Sequence, residues 1–210
     1  MDIIDVMDKK GLYLQGHAPS VSGRMLSAYL CGGPNTCHES RERNEALEKL
    51  RSGMYVDARE SSITKNVEEI YEGVKGVKFY DHFCLCTDDR EADDILHVGH
   101  MNDVVRTVIR SGMDPVTAIK SATLNTAREI HIENLGAIAP GYVADMLLVG
   151  DLEELKPDLV FFGGRLVAEK GHMTVPIEAR EYPLEKVNTM YVKDLKTEDF
   201  RIKAPVENGT

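Results

Sequence analysis

Basic residues are scarce in this sequence: 25 Lys and Arg stand against 35 Asp and Glu, a formal net charge of −10. That balance argues against nucleic acid or an anionic membrane surface as a partner. No apolar run approaches the roughly 20 residues that a transmembrane helix needs, and Met1-Asp2-Ile3-Ile4-Asp5 lacks the basic start of a secretory signal. Cysteine is sparse too. Cys31, Cys37, Cys84 and Cys86 do not make a disulfide framework, since a C-x-C pair within one strand cannot readily bridge to itself. The C-x2-C spacing that marks a cysteine zinc site is missing as well. The expectation is a cytoplasmic chain with reduced, mostly buried thiols. Internal repeats and low-complexity tracts are also missing. What remains is ordinary: 210 residues, 42% hydrophobic and 29% charged, enough for one domain with a sizeable core and a small appendage.

The most informative stretch is Phe83-Cys84-Leu85-Cys86-Thr87-Asp88-Asp89-Arg90, an apolar run that ends in two carboxylates and a guanidinium. Its composition predicts a strand buried on both faces of a parallel sheet. Side chains alternate along a strand, so Cys84, Cys86 and Asp88 share one face and Phe83, Leu85 and Thr87 the other. A carboxylate at the carboxyl end of such a strand sits where α/β barrels keep their chemistry. Two earlier segments end alike, Leu12-Tyr13-Leu14-Gln15-Gly16 in His17 and Asn35-Thr36-Cys37 in His38. Each has a plainer reading alone: a loop or packing histidine, or an Asp pair that caps a helix or pairs with Arg90. Equivalent places in successive βα units point instead to a site for a hard or borderline divalent cation.

Helical patterns separate these strands, and the alternation to about Ile130 reads as four βα units in a parallel sheet with right-handed crossovers. Strands fall at 12–17, 35–38, 54–58 and in the segment described above. Ser22 and Ser40 are candidate N-caps, and Asp114-Pro115 is a strong helix start. Four units are half of an eight-unit barrel, which leaves two parallel strand edges unpaired and predicts self-association. The texture changes after that. Residues 134–175 read as a small β unit with a hairpin turning on Gly163-Gly164, and 176–210 as an extended tail or linker.

Several motifs resemble the amidohydrolase superfamily and, within it, the adenine deaminase family of bacteria and archaea. They are Gly16-His17-Ala18-Pro19, Cys37-His38-Glu39, Arg59-Glu60-Ser61, Cys86-Thr87-Asp88-Asp89-Arg90 and Gly99-His100-Met101-Asn102. Ala122-Thr123-Leu124-Asn125 and Pro140-Gly141 with Ala144-Asp145 are common to the superfamily at large. The resemblance implies an α/β fold: strands five to eight of a TIM-type (β/α)8 barrel with their helices over 1–133, then part of a small β-sandwich over 134–175. It implies His17, His38 and Asp88 as metal ligands, with Asp88 also the catalytic proton carrier. Arg59, Glu60 and Asp89 are the implied substrate-binding residues, with a rim ion pair the alternative for Arg59 and Glu60. The implied cofactor is a divalent metal, manganese or iron, with zinc a further candidate. The implied reaction is hydrolysis of adenine to hypoxanthine and ammonia in purine metabolism, on a small-molecule substrate. The sequence departs from that pattern. It has no His-x-His pair and no counterpart of the strand-four Glu, and Gln15 stands where the family tends to have Asp. A fragment of a longer enzyme is therefore expected, completed by self-association or a complementary chain. The other readings are an amidohydrolase of cyclic amides and a non-catalytic remnant.

Overall fold

The computed structural model describes residues 2–178 and 181–202, which fall into two compact units divided between Val175 and Pro176. The larger unit opens with helices α1 (Asp2–Lys9) and α2 (Gly23–Cys31). Strands and helices then alternate as β1 (Thr36–Cys37), α3 (Arg43–Arg51), β2 (Tyr55–Arg59), α4 (Val67–Val74) and β3 (Phe83–Cys86). The strands form one parallel sheet in the order β1-β2-β3, with Cys37 opposite Val56 and Arg59 opposite Cys86. Val56, Ala58, Phe83 and Leu85 pack into a core with Ala46 of α3 and Val67, Ile70 and Val74 of α4. By alternation, Asp57, Arg59, Cys84 and Cys86 belong to the opposite face.

Helices α5 (Ala92–His97), α6 (Met101–Arg110), α7 (Pro115–Ala122) and α8 (Leu124–Glu129) follow. Val104, Val105, Val108 and Ile109 of α6 enter the same core at helical spacing. The expected start of α7 is present: Asp114 accepts the Thr117 N–H at 2.9 Å, with Pro115 in the first turn. Under β3, the fully buried Asn125 of α8 donates to Tyr80 O at 2.6 Å and Phe83 O at 3.0 Å. That amide pins the helix to the strand.

Three parallel strands are found where the sequence predicts four. Residues 12–17 run beside β1 without forming a ladder. They share an Asn35 N–H to Leu14 O bond of 3.4 Å, and the Gly16 N–H goes to the Thr36 hydroxyl at 2.9 Å in place of a backbone carbonyl. The approach is so close that a Cβ on Gly16 would come within 2.4 Å of Thr36 O and Tyr29 Oη. With β1 only two residues long, there is no extended edge to pair with.

The region after α8 forms one antiparallel sheet in the order β4 (Met146–Val149), β5 (Pro157–Phe162), β6 (Arg165–Glu169), β7 (His172–Met173). The hairpin turns on Gly163 and Gly164 with φ of 56° and 79°, the paired positive values of a type I′ turn. The second unit holds a short helix α9 (Leu184–Val187) and a 3-10 turn at Thr197–Phe200, where Lys193 pairs with Asp199 at 2.7 Å. Residues 179–180 and 203–210 of the expected tail lie outside the described residues. Among the described residues no helix is long and apolar enough to cross a membrane.

Candidate functional site

Parallel strands open their carboxyl ends on one side, and in such sheets that side is where ligands bind. His38 and Glu39 follow β1, Arg59 closes β2, and Asp88 comes two residues beyond β3. The 12–17 segment delivers His17, whose N–H donates to Tyr29 Oη of α2 at 2.9 Å. The His17 and His38 rings stand 5.3 Å apart between centroids at 66°. Ligand atoms of His17, His38 and Glu39 lie within 4.8 Å of one another. Small side-chain rotations bring such donors to the roughly 2.0–2.2 Å bonds that nitrogen and oxygen make to a borderline cation. The donor set fits a divalent ion.

Asp88 reaches the same rim by another contact. Arg59, buried, bonds through Nη1 to both Glu39 and Asp88, and through Nη2 to Glu39 Oε2 at 2.8 Å. The Arg59 guanidinium holds the Asp88 carboxyl below its ordinary value against the opposing effect of partial burial. In return, the two carboxylates outweigh burial and raise Arg59. Asp88 sits at φ 54°, in the left-handed region that Asp tolerates better than most residues, and its Oδ1 accepts the Asp89 N–H at 2.8 Å. Arg59 is thus the cation between two acids. Glu60 is buried, its carboxyl pushed up by burial, and does not pair with Arg59; Asp89 is exposed. His100 heads α6, where its N–H donates to Asn102 Oδ1 at 2.9 Å.

Beside the rim lies a cavity of about 310 Å³, lined by Gln15, His38, Asp57, Cys86, Asp88 and Glu129 among others. That is the low end of the roughly 300–1,000 Å³ of small-molecule sites. Two of its lining residues, Asp57 and Glu129, form a second donor cluster with the buried Cys84, with ligand atoms also within 4.8 Å of each other. Burial first, and then the neighbouring Glu129, push the Asp57 carboxyl well above the carboxylate range; its Oδ1 is buried without a hydrogen-bond partner. Burial likewise raises the Cys84 and Cys86 thiols, so they stay protonated at neutral pH.

Two residues at the site escape a reading by strand ends. Glu39 is visible in the sequence as the neighbour of His38, yet nothing local marks it as the acid that joins both the histidines and Arg59. Lys49 sits in a helix whose charged composition predicts a solvated face with Ala46, Leu47 and Leu50 inward. In the structure Lys49 is fully buried, Leu47 and Leu50 are only half-buried, and the N-cap position falls on Glu42 instead of Ser40. The i,i+4 spacing of Glu45 and Lys49 was the available signal.

The model of the amidohydrolase family matches residues 1–167. An adenine deaminase of Kosmotoga olearia is 38% identical over 205 residues, which is 98% of this chain and 35% of that protein. An adenine deaminase of Dehalococcoides mccartyi is 42% identical over 202 residues, again 35% of its length. The chain therefore spans about a third of the curated relatives it matches. Among solved structures, a beta-aspartyl dipeptidase from Fervidobacterium islandicum superposes with a TM-score of 0.58 at 21% identity, covering 78% of this chain and 49% of that one. That likeness concerns the fold. By the family match, over most of its length, the chain belongs to the amidohydrolase family.

Proposed function

We propose that this chain is part of a metal-dependent adenine deaminase, hydrolysing adenine to hypoxanthine and ammonia in the cytoplasm. The observation that carries the reading is 38% identity along 98% of the chain to a protein named adenine deaminase. The parallel sheet and its helices, 1–133, are read as the later part of a (β/α)8 barrel, with 12–17 at the place of strand five. The antiparallel sheet within 134–175 is read as part of the accompanying β-sandwich, and 176–210 as a tail or linker.

His17, His38 and Asp88 would hold a divalent cation, manganese or iron with zinc a further candidate; Glu39 lies within the histidine cluster, and both it and Asp88 are bonded to Arg59. Bound there, the ion supplies Lewis acidity and draws the pKa of a water from about 15.7 towards about 7. Asp88, held ionised by Arg59, accepts the proton of the water that adds at C6 of the purine and returns it to the departing amine. Arg59 keeps that carboxylate aimed, and the adjoining cavity, lined by His38 and Asp88, would receive the base. Arg59, Glu60 and Asp89, the substrate-binding residues that the resemblance implies, are not among its lining residues. Two or three protein donors leave most of an ion's shell to water, so this chain by itself binds metal weakly. The outer side of the 12–17 segment, which flanks β1, and the outer edge of β3 are the places for self-association or for a complementary chain. A clean monomer in sedimentation at high concentration would rule out self-association.

The test is ammonia release from adenine with manganese(II) or iron(II), by the chain itself and by a chimaera in which it replaces the matching third of the Kosmotoga olearia protein. Turnover well above that of His17→Ala is expected from the chimaera. A chimaera that ignores adenine and opens a cyclic amide would refute the substrate.

A further inference from the structure

Behind the two histidines lies an ion pair that the proposed reaction does not consume. Lys49 of α3 is 0% exposed, an arrangement that costs several kcal/mol of desolvation unless the ammonium is well bonded. Its Nζ donates to Ala18 O at 2.6 Å and to Glu45 Oε1 at 2.5 Å, with Ser40 Oγ at 3.2 Å and Cys37 Sγ at 3.3 Å. Glu45, one turn earlier and also buried, accepts the Ser20 N–H at 2.8 Å through Oε1 and the Arg41 N–H at 3.1 Å through Oε2. Burial works against its ionisation, but these bonds outweigh it and hold the carboxyl below its ordinary value.

The partners fall into two sets. Ala18 and Ser20 belong to the segment directly after His17, and Cys37, Ser40 and Arg41 to the one that carries His38. Both segments therefore hang from one face of a single helix, since residues four apart stack on the same side. The 12–17 segment has no strand ladder, and single hydrogen bonds at Leu14, Gly16 and His17 hold the backbone up to the histidine. The backbone just beyond it is held by Lys49 at Ala18 O and by Glu45 at the Ser20 N–H. Stability alone does not account for the pair, because a buried ion pair is often matched or exceeded by apolar side chains of similar volume. We infer that the Glu45–Lys49 pair is a positioning device, which sets the separation of His17 and His38 for one shared divalent cation. This rests on the reading of those histidines as metal ligands.

The decisive variant is the double replacement Glu45→Leu/Lys49→Met, which removes both charges and leaves neither unpaired. On the full chain, three quantities are read: the thermal midpoint, manganese(II) affinity by titration calorimetry, and metal-free hydrogen exchange resolved to segments 18–20 and 37–41. The expected result is a folded variant with faster exchange in both segments and metal affinity weakened about 10–100-fold, the usual cost of losing support behind a ligand. Should the double variant not fold, Ser40→Ala removes one Lys49 contact and should show smaller changes in the same direction. Leu50→Ala, on the same helix, should lower the midpoint and leave affinity intact. Unchanged affinity in a folded double variant overturns the inference, as does weakened affinity with unaltered exchange in the two segments. A wild-type chain that takes up no ion, like His17→Ala, overturns the metal reading itself and the inference with it.

Discussion

Replacing Arg59 with Met should unsettle the site more than any loss of a single ligand. The guanidinium side chain is 9% exposed and bridges Glu39 and Asp88, themselves 12% and 21% exposed. Met preserves most of the packed length and removes the fork, leaving two carboxylates facing each other without a cation. Breaking a fully buried pair costs about 3–5 kcal/mol and an exposed one about 0–1, so these partly wet acids point to about 2–3 kcal/mol at pH 7. The loss must also depend on pH with a definite sign. Arg59 keeps the Asp88 carboxyl lower in the folded state than its unfolded value of about 3.9. Such a group stabilises above the unfolded pKa, and that stabilisation disappears as pH falls through the folded one. Urea unfolding of wild type and variant at pH 7, 5 and 3 should give curves far apart at neutrality that converge below about pH 4. Arg59→Lys should fall between them, because a point charge cannot fork onto two acids. A constant difference at every pH, or one under about 0.5 kcal/mol at pH 7, would show that Arg59 is not held by these carboxylates and would return it to the substrate.

His38→Ala should abolish the uptake of manganese(II) measured by equilibrium dialysis; unchanged stoichiometry would exclude His38 as a ligand. Asp57→Asn should stabilise the chain at pH 7. A carboxyl raised by burial and by Glu129 contributes stability only below its unfolded pKa and forfeits it as pH rises through the folded value, at roughly 1.4 kcal/mol per unit displaced. A destabilised Asp57→Asn at neutral pH would contradict that environment. Asn125→Ala strips the Phe83 carbonyl of its side-chain donor, while Tyr80 O keeps the Phe83 N–H at 3.0 Å; a buried acceptor left bare costs about 1–3 kcal/mol. A thermal midpoint unchanged from wild type would mean that water takes the amide's place.

How far the sequence could be read divides along the range of the interactions involved. The βα alternation, the Gly163-Gly164 turn and the Asp114-Pro115 helix start depend on neighbours a few residues away, and periodicity carries them. The placing of His38 and Asp88 at one rim also follows from local rules, once the strands are known to be parallel; His17 reaches it from a segment that forms no strand. The strand predicted over 12–17 needs more than its own alternation, because a strand exists only against a partner, and β1 offers two residues. Arg59 illustrates the same limit in the site. Its adjacent Glu60 is the sequence's natural partner, yet the guanidinium is taken by acids 20 and 29 residues away. Lys49 is the sharpest case. A helix reading Arg-Asn-Glu-Ala-Leu-Glu-Lys-Leu-Arg looks solvated; the i,i+4 spacing of Glu45 and Lys49 marks a pair, and no local rule makes that pair buried. What encloses it is the pair of segments after His17 and around His38, which have carbonyl, thiol and hydroxyl acceptors to satisfy together. The burial of the lysine thus depends on partners as far as 31 residues away, which the helix's own sequence does not display.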